Sequence, residues 1–286
     1  MKNIIYITIA MGMMSLISIG GISAQSVKKK SPFAQKPIAF KSGERLDYDL
    51  YFNWRFIWTK AGTAHLYTTD TIFDGKPALK VDLLSTGSKS ADFFFKMRDS
   101  VTSVMTPDLL PVYYRKGSLE GGRYQVDEAW YSYPGDSSRV YQERTRPGTD
   151  YLKKDTTTMN VCIQDMVSSL MRSRSLDVRA LKMNQKILIP IVSGKRVDMQ
   201  TLIYRGRRIF EANNGKTYNC LVFSFVEYTK EGDEEEVITF YITDDENHIP
   251  VRLDLFLNFG SAKAFLTKIE GNRHPLTSLV TKVKQK

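Results

Sequence analysis

The chain has 286 residues, 42% of them hydrophobic and 12% aromatic, which is enough apolar surface to fill a core and excludes global disorder. Its 10 prolines, 18 glycines and 25% charged residues exclude collagen-like, low-complexity and polytopic membrane classes. A formal net charge of +10 admits an acidic partner, but spread over a whole surface it acts mainly on solubility and non-specific attraction.

The first segment reads as an address. Lys2 precedes an uncharged stretch from Asn3 to Ser26, whose apolar heart runs from Ile4 to Ile19 and closes on Gly20, Gly21, Ser23 and Ala24. This predicts a secretory signal peptide over residues 1–24, cleaved between Ala24 and Gln25. The competing reading is an uncleaved anchor, because the run approaches the roughly 20 residues that cross a bilayer. The small residues at its end favour cleavage. No cysteine follows the run, so no lipoprotein anchor is expected, and no second long apolar segment follows, so an integral membrane protein is not expected. Lys28, Lys29 and Lys30 fall in residues 25–38, read as a flexible N-terminal tail. Such a cluster can touch anionic headgroups or nucleic acid. No zinc-knuckle spacing, RNP-like motif or helix-turn-helix pattern accompanies it, and no nucleic-acid partner is expected.

From Gly43 onward the dominant period is two. Leu46, Tyr48, Leu50 and Phe52 alternate with Asp47, Asp49, Tyr51 and Asn53, the pattern of a strand with one wet face. Ala61–Thr71 and Pro77–Thr86 follow as strands joined through Asp74-Gly75, which supplies the positive φ angles of a tight hairpin. Strands are predicted next at Val101–Met105, Val112–Leu119, Gln125–Tyr133 and Arg139–Arg144, with turns at Gly121-Gly122 and Pro134-Gly135-Asp136.

The period then changes once. Between Val161 and Arg174, Ile163, Val167, Leu170 and Met171 fall on one helical face, widened by Cys162 and Met166. Asn160 suits an N-cap, Asp165 the early turns, and Arg172 with Arg174 the C-terminal end. This is the one principal helix predicted. Strands resume at 186–191, 197–204, 207–212, 217–227, 237–243, 250–257 and 262–268, with turns at Ser193-Gly194, Asn213-Asn214-Gly215 and Asp244-Asp245-Glu246-Asn247. No linker separates the halves. The expected fold is mostly β, a large curved antiparallel sheet or barrel-like architecture with one principal helix, because so many strands must curl, split or close. Residues 39–274 are read as a single β-rich domain and 275–286 as a C-terminal tail.

Cys162 and Cys220 are too few to staple a chain of this length. An oxidising compartment permits one bridge, and two buried thiols are the alternative. Nucleophile motifs are absent: no Gly-x-Ser-x-Gly elbow appears, and His65, His248 and His274 are scattered. No catalytic residue is assigned. No metal motif appears either; Asp244, Asp245 and Glu246 read as a solvated turn before a calcium site. No metal or other cofactor is therefore assigned. Gly232 to Glu236 reads as a charged hairpin tip. Asp47, Asp49, Asp99 and Asp165 are the loose candidates for paired carboxylates acting on a glycan, a chemistry that needs two acids converging across a groove.

Alternation breaks at Trp54, Phe56, Ile57 and Trp58, and a second apolar run, Phe93-Phe94-Phe95, lies beside Met97. Such runs mean core packing, bulges or doubly buried strands in most cases, and pocket walls in a minority. In a curved sheet covered by a helix, surplus aromatic side chains can line an apolar cleft for a lipid-like ligand. Trp54, Trp58, Phe93, Phe94 and Phe95 are thus the candidate ligand-binding residues.

Three segments carry a family resemblance. Gly43-Glu44-Arg45-Leu46-Asp47-Tyr48 with Lys60-Ala61-Gly62-Thr63-Ala64, then Asp165 to Arg172, then Ile249-Pro250-Val251-Arg252 before Gly260-Ser261-Ala262 resemble, in order and spacing, exported bacterial proteins grouped as domain of unknown function 3108. The resemblance spans roughly residues 40 to 272. It implies one domain and a cell-envelope protein of a Gram-negative bacterium, in the periplasm, and carries over no catalytic residue. Three function classes follow: non-enzymatic binding of an apolar or amphiphilic envelope molecule, a structural or interaction module, and a hydrolase of envelope glycans with paired carboxylates. The first is the reading the sequence favours; it leaves oligomeric state and ligand identity open.

Overall fold

Period-two patterning buries one face of a strand and wets the other, and a chain made of such strands stays soluble only by curling its apolar face inward. A computed structural model describes residues 34–35, 39–54, 57–88, 98–120, 123–229, 231–257 and 260–280. The first meander comprises β1 (Arg45–Trp54), β2 (Ile57–Phe73), β3 (Lys76–Gly87), β4 (Arg98–Met105), β5 (Pro111–Glu120), β6 (Arg123–Ser132), β7 (Ser138–Thr145) and β8 (Leu152–Met159). A helix, α1 (Met166–Arg174), and a 3₁₀ turn, Val178–Ala180, precede the second. That meander comprises β9 (Lys186–Val192), β10 (Val197–Glu211), β11 (Thr217–Tyr228), β12 (Glu234–Thr243), β13 (Pro250–Leu257) and β14 (Gly260–Glu270). The fold is mostly β, as the sequence predicts.

All the strands among the described residues join one 14-stranded sheet in the order β8-β7-β6-β5-β4-β3-β2-β1-β14-β13-β12-β11-β10-β9. Every ladder is antiparallel, and the first and last strands pair at the centre, Leu50 opposite Ala264. The two meanders run outward from that seam, so the sheet's ends are β8 and β9, neighbours in sequence. These ends are drawn together. Arg144 on β7 donates to the Ser193 carbonyl in the β9–β10 turn at 2.7 Å and grips Asp127 on β6 at 2.5 and 2.7 Å. Gly194 has φ +76°, and a Cβ there would stand 2.3 Å from the Asp127 carboxyl carbon, so only glycine fits this closure.

The helix differs from its prediction at the start. Residues 161–165 are not helical: Gln164 pairs in parallel with Ile191 and spends its backbone groups on Pro190 and Val192. The N-cap is therefore Asp165, not Asn160: its side chain accepts from the Val167 and Ser168 amides, and the Ser168 hydroxyl closes a capping box. Val167 and Met171 are buried in the main core with Ile163, and Leu170 packs against it half-buried. Met166, which the pattern sets on that stripe, is exposed.

Three other segments depart from expectation. β8 has no counterpart among the predicted strands: Leu-Lys-Lys-Asp-Thr-Thr-Thr-Met has no apolar alternation, since it is an edge strand with little burial. The predicted strands 197–204 and 207–212 are one strand, β10, with a register shift between Tyr204 and Gly206. Part of the expected C-terminal tail is engaged: Leu279 bridges to Tyr218, Asn219 donates to the Ser278 carbonyl, and Ser278 is buried.

Two apolar clusters fill the space between these elements. The larger joins Phe40, Leu46, Tyr48, Leu66, Val81, Tyr131 and Val140 to the helix residues, and the smaller joins Ile189, Leu202, Tyr204, Leu221, Phe223, Phe240 and Ile242. At the helix C-terminus a buried ion pair ties three segments together. Arg174 donates to both Glu44 carboxylate oxygens at 2.6 and 2.9 Å, to the carbonyls of Asn247 and His248, and lies over the Phe40 ring. Cys162 and Cys220 are separate buried thiols, which settles their pairing in favour of the unbridged alternative.

Candidate functional site

The aromatic residues singled out from the sequence lie at the β1–β2 hairpin and beyond it. Trp58, opposite Asn53, is 42% exposed, and the Lys263 ammonium sits 4.3 Å from its ring centroid, a cation–π contact across the sheet. Trp54 closes β1 opposite Ile57. Phe93, Phe94 and Phe95 lie outside the described residues. A groove of about 270 Å³ lies elsewhere and is largely polar: Arg207, Arg208, Ile209, Asn219, Cys220 and Asp244 line it.

A different aromatic array emerges from the first meander. Strand alternation turns Tyr114, Ala129, Tyr131 and Val140 into the core, so Tyr113, Trp130 and Tyr141 stand on the opposite face. Register brings them side by side, Tyr113 opposite Trp130 and Trp130 opposite Tyr141. Ring centroids are 5.7 Å apart for the first pair and 5.8 Å for the second. Phe73, at the end of β2, stacks on Tyr113 at 5.8 Å and 20° and extends the row to four rings. Trp130 is 37% exposed at its centre.

Two residues along the same strands runs a second row, of charges. Arg115 pairs with Glu128, Glu128 with Glu143, and Glu143 with Lys154. The rows are stitched together by phenols. Tyr113 donates to Glu128 Oε1 at 2.5 Å, and Tyr141 donates to Glu143, which also faces Lys154 at 3.4 Å. Burial, then the bond to Glu128, pushes the Tyr113 phenol up; the bond to Glu143 comes first for Tyr141. Both phenols therefore stay protonated and donating at neutral pH. Directly opposed carboxylates repel, so Glu128 facing Glu143 is an unfavourable pair in an otherwise ordinary sheet surface.

The carboxylates considered for hydrolysis are occupied elsewhere. Burial works to raise Asp47, but bonds from Arg45 at 2.8 Å and His65 at 2.7 Å win and hold it below its ordinary value. Asp49 faces Lys60 at 2.8 Å, and Asp99 accepts from the Leu119 amide. Asp165 is fully buried at the helix start; burial pushes its carboxyl up against the bonds it accepts from Ser168, Ser103 and Val167. No two of these converge across a groove among the described residues. Asp244 pairs with Arg207, while Asp245 accepts from Thr243, Asn247 and Ser278, so the turn spends these carboxylates on protein donors. Of the histidines, His65 binds Asp47, His248 meets the Arg174 carbonyl at 2.5 Å, and His274 faces Glu246 at 3.2 Å.

No helix among the described residues is long and apolar enough to cross a membrane, a statement that leaves strands aside. Residues 47–267 match the family model described as protein of unknown function (DUF3108), and the chain belongs to that family. No curated protein matches. Among solved structures, the chain is similar to a β-barrel-like protein of domain of unknown function DUF1849 from Brucella abortus. The TM-score is 0.50 at 10% identity, covering 82% of this chain and 100% of that one. That likeness shows the fold alone. A Bacteroides fragilis protein with YmcC-like fold aligns at a TM-score of 0.32 and 7% identity, over 83% of this chain and 99% of that one.

Proposed function

We propose that this chain is an exported periplasmic protein that binds an amphiphilic cell-envelope molecule without transforming it, and that the row Phe73, Tyr113, Trp130 and Tyr141 is the binding face. The observation that carries the proposal is the coincidence of three in-register rings, extended by the contact of Phe73 with Tyr113, with a parallel row of charged groups on a face turned away from the core. Aromatic faces attract apolar and C–H surface, and the neighbouring carboxylates accept hydrogen bonds, so the strip suits a molecule with one apolar and one polar side. Chemistry on such a ligand is disfavoured by geometry. Glu128 and Glu143 are neighbours on one flat face, whereas glycoside hydrolysis sets its two acids on either side of the bond. The signal-like residues 1–24 and the family resemblance support export.

The test is native mass spectrometry of protein purified from a periplasmic extract. The proposal expects an envelope molecule to copurify with the native protein and to be lost from Trp130→Ala. A molecule that copurifies equally with both, or none with either, overturns it.

A further inference from the structure

We infer that the occupant of the ring row is a neutral glycan, an extended chain of pyranose rings laid across β5, β6 and β7; this rests on the reading of the row as the binding face. Rings with centroids 5.7 and 5.8 Å apart on neighbouring strands, inclined to each other by 53° and 33°, make a twisted row along which successive sugar rings can each find an aromatic neighbour. A pyranose has C–H faces that carry partial positive charge, which the negative face of an aromatic ring attracts.

Its hydroxyls project from the edge of the ring, at right angles to that apolar face. A sugar seated on Trp130 therefore turns its donors toward the row two residues away, where Glu128 and Glu143 face each other. Each carboxylate has its Oε1 taken by a tyrosine, which leaves Oε2 without a hydrogen bond among the described residues. Hydroxyl donors at these positions relieve the repulsion of the opposed pair. Arg115 and Lys154 at the ends of the row balance the two glutamates, so the strip carries no net formal charge and favours neither an anionic headgroup nor a cationic polymer. An acyl chain, by contrast, is held by enclosure, and an open sheet face covers one side only.

The experiment is isothermal titration of the purified protein, with tryptophan fluorescence alongside. Three probes are used: the β-1,4-linked hexamer of N-acetylglucosamine, its deacetylated cationic counterpart, and phosphatidylethanolamine–phosphatidylglycerol vesicles. The neutral hexasaccharide is expected to bind saturably, and Trp130→Ala and Glu143→Ala each to weaken it at least roughly tenfold. Trp58→Ala is expected to leave binding unchanged, and Trp130→Phe to retain it. Should Trp130→Ala lose its melting transition, Tyr141→Ala at the margin of the row carries the same expectation. Tighter binding of the cationic hexamer overturns the neutral assignment. Vesicle binding that depends on Trp130, without hexasaccharide binding, overturns the glycan but leaves the ring row as the binding face. Hexasaccharide binding indifferent to Trp130 and Tyr141, or no binding of any probe, overturns both.

Discussion

Arg174 heads the fully buried side chains among the described residues, and its charge is tolerable there only because Glu44 meets it in two hydrogen bonds while main-chain carbonyls take the remainder. Replacing the cation by an apolar residue strands a carboxylate in the core. Arg174→Met should therefore cost about 3–5 kcal/mol of unfolding free energy in urea; a loss below about 1 kcal/mol would show that the pair contributes little. Asp165 poses the opposite problem. Its burial raises the carboxyl above its unfolded value, so its stabilising contribution is fully present at pH below the ordinary aspartate value of about 3.9 and is lost as pH rises through the folded value. Asp165→Asn retains a capping oxygen and removes that dependence. Across a urea series from acid to neutral pH, the wild type should lose stability relative to the variant as pH rises; a difference that stays flat or grows in favour of wild type contradicts this. Neither residue's environment was legible in sequence. The sequence shows Asp165 and Arg174 as helix-end charges, but the partners Ser103 and Glu44 lie 62 and 130 residues away.

Elements were far more legible, for a local reason: alternation is written within a strand, and turns such as Asp74-Gly75 announce themselves. The failures share a cause as well. β8 buries so little that it leaves no apolar period, β10 carries a bulge that breaks its period in the middle, and the helix start was taken by a parallel bridge to β9 that only the folded sheet supplies. The same long-range origin applies to the closure of the sheet's ends. In the sequence Gly194 marks only a turn, yet its missing Cβ is what lets the Asp127 carboxylate, and Arg144 with it, reach the β9–β10 turn. Gly194→Ala combines a positive φ with that clash, so it should destabilise the protein by about 1–3 kcal/mol. Hydrogen exchange should show β8 and β9 losing protection before the central β1–β14 pair. Uniform loss across the sheet would mean that the contact does not join its ends.

At the scale of the whole molecule, the fold class follows from composition and period, but the proposed ring row does not. Trp54 and Trp58 stand out because they break alternation, whereas Tyr113, Trp130 and Tyr141 keep it and so pass for ordinary strand residues. One signal is available: Tyr113 and Trp130 are equidistant from the Gly121-Gly122 pair in the sequence, and Trp130 and Tyr141 from the Gly135-Asp136 pair, so counting outward from these pairs aligns the three rings. What no count supplies is which face looks away from the core. The chain's three tryptophans, Trp54, Trp58 and Trp130, make the two candidate faces separable in one spectrum. Each indole N–H gives its own proton–nitrogen correlation, assignable by single Trp→Phe substitutions, and a soluble envelope extract can be titrated against all three. The account predicts that the Trp130 signal shifts saturably while Trp54 and Trp58 hold still. A shift confined to Trp54 and Trp58 would place binding at the β1–β2 hairpin and contradict it.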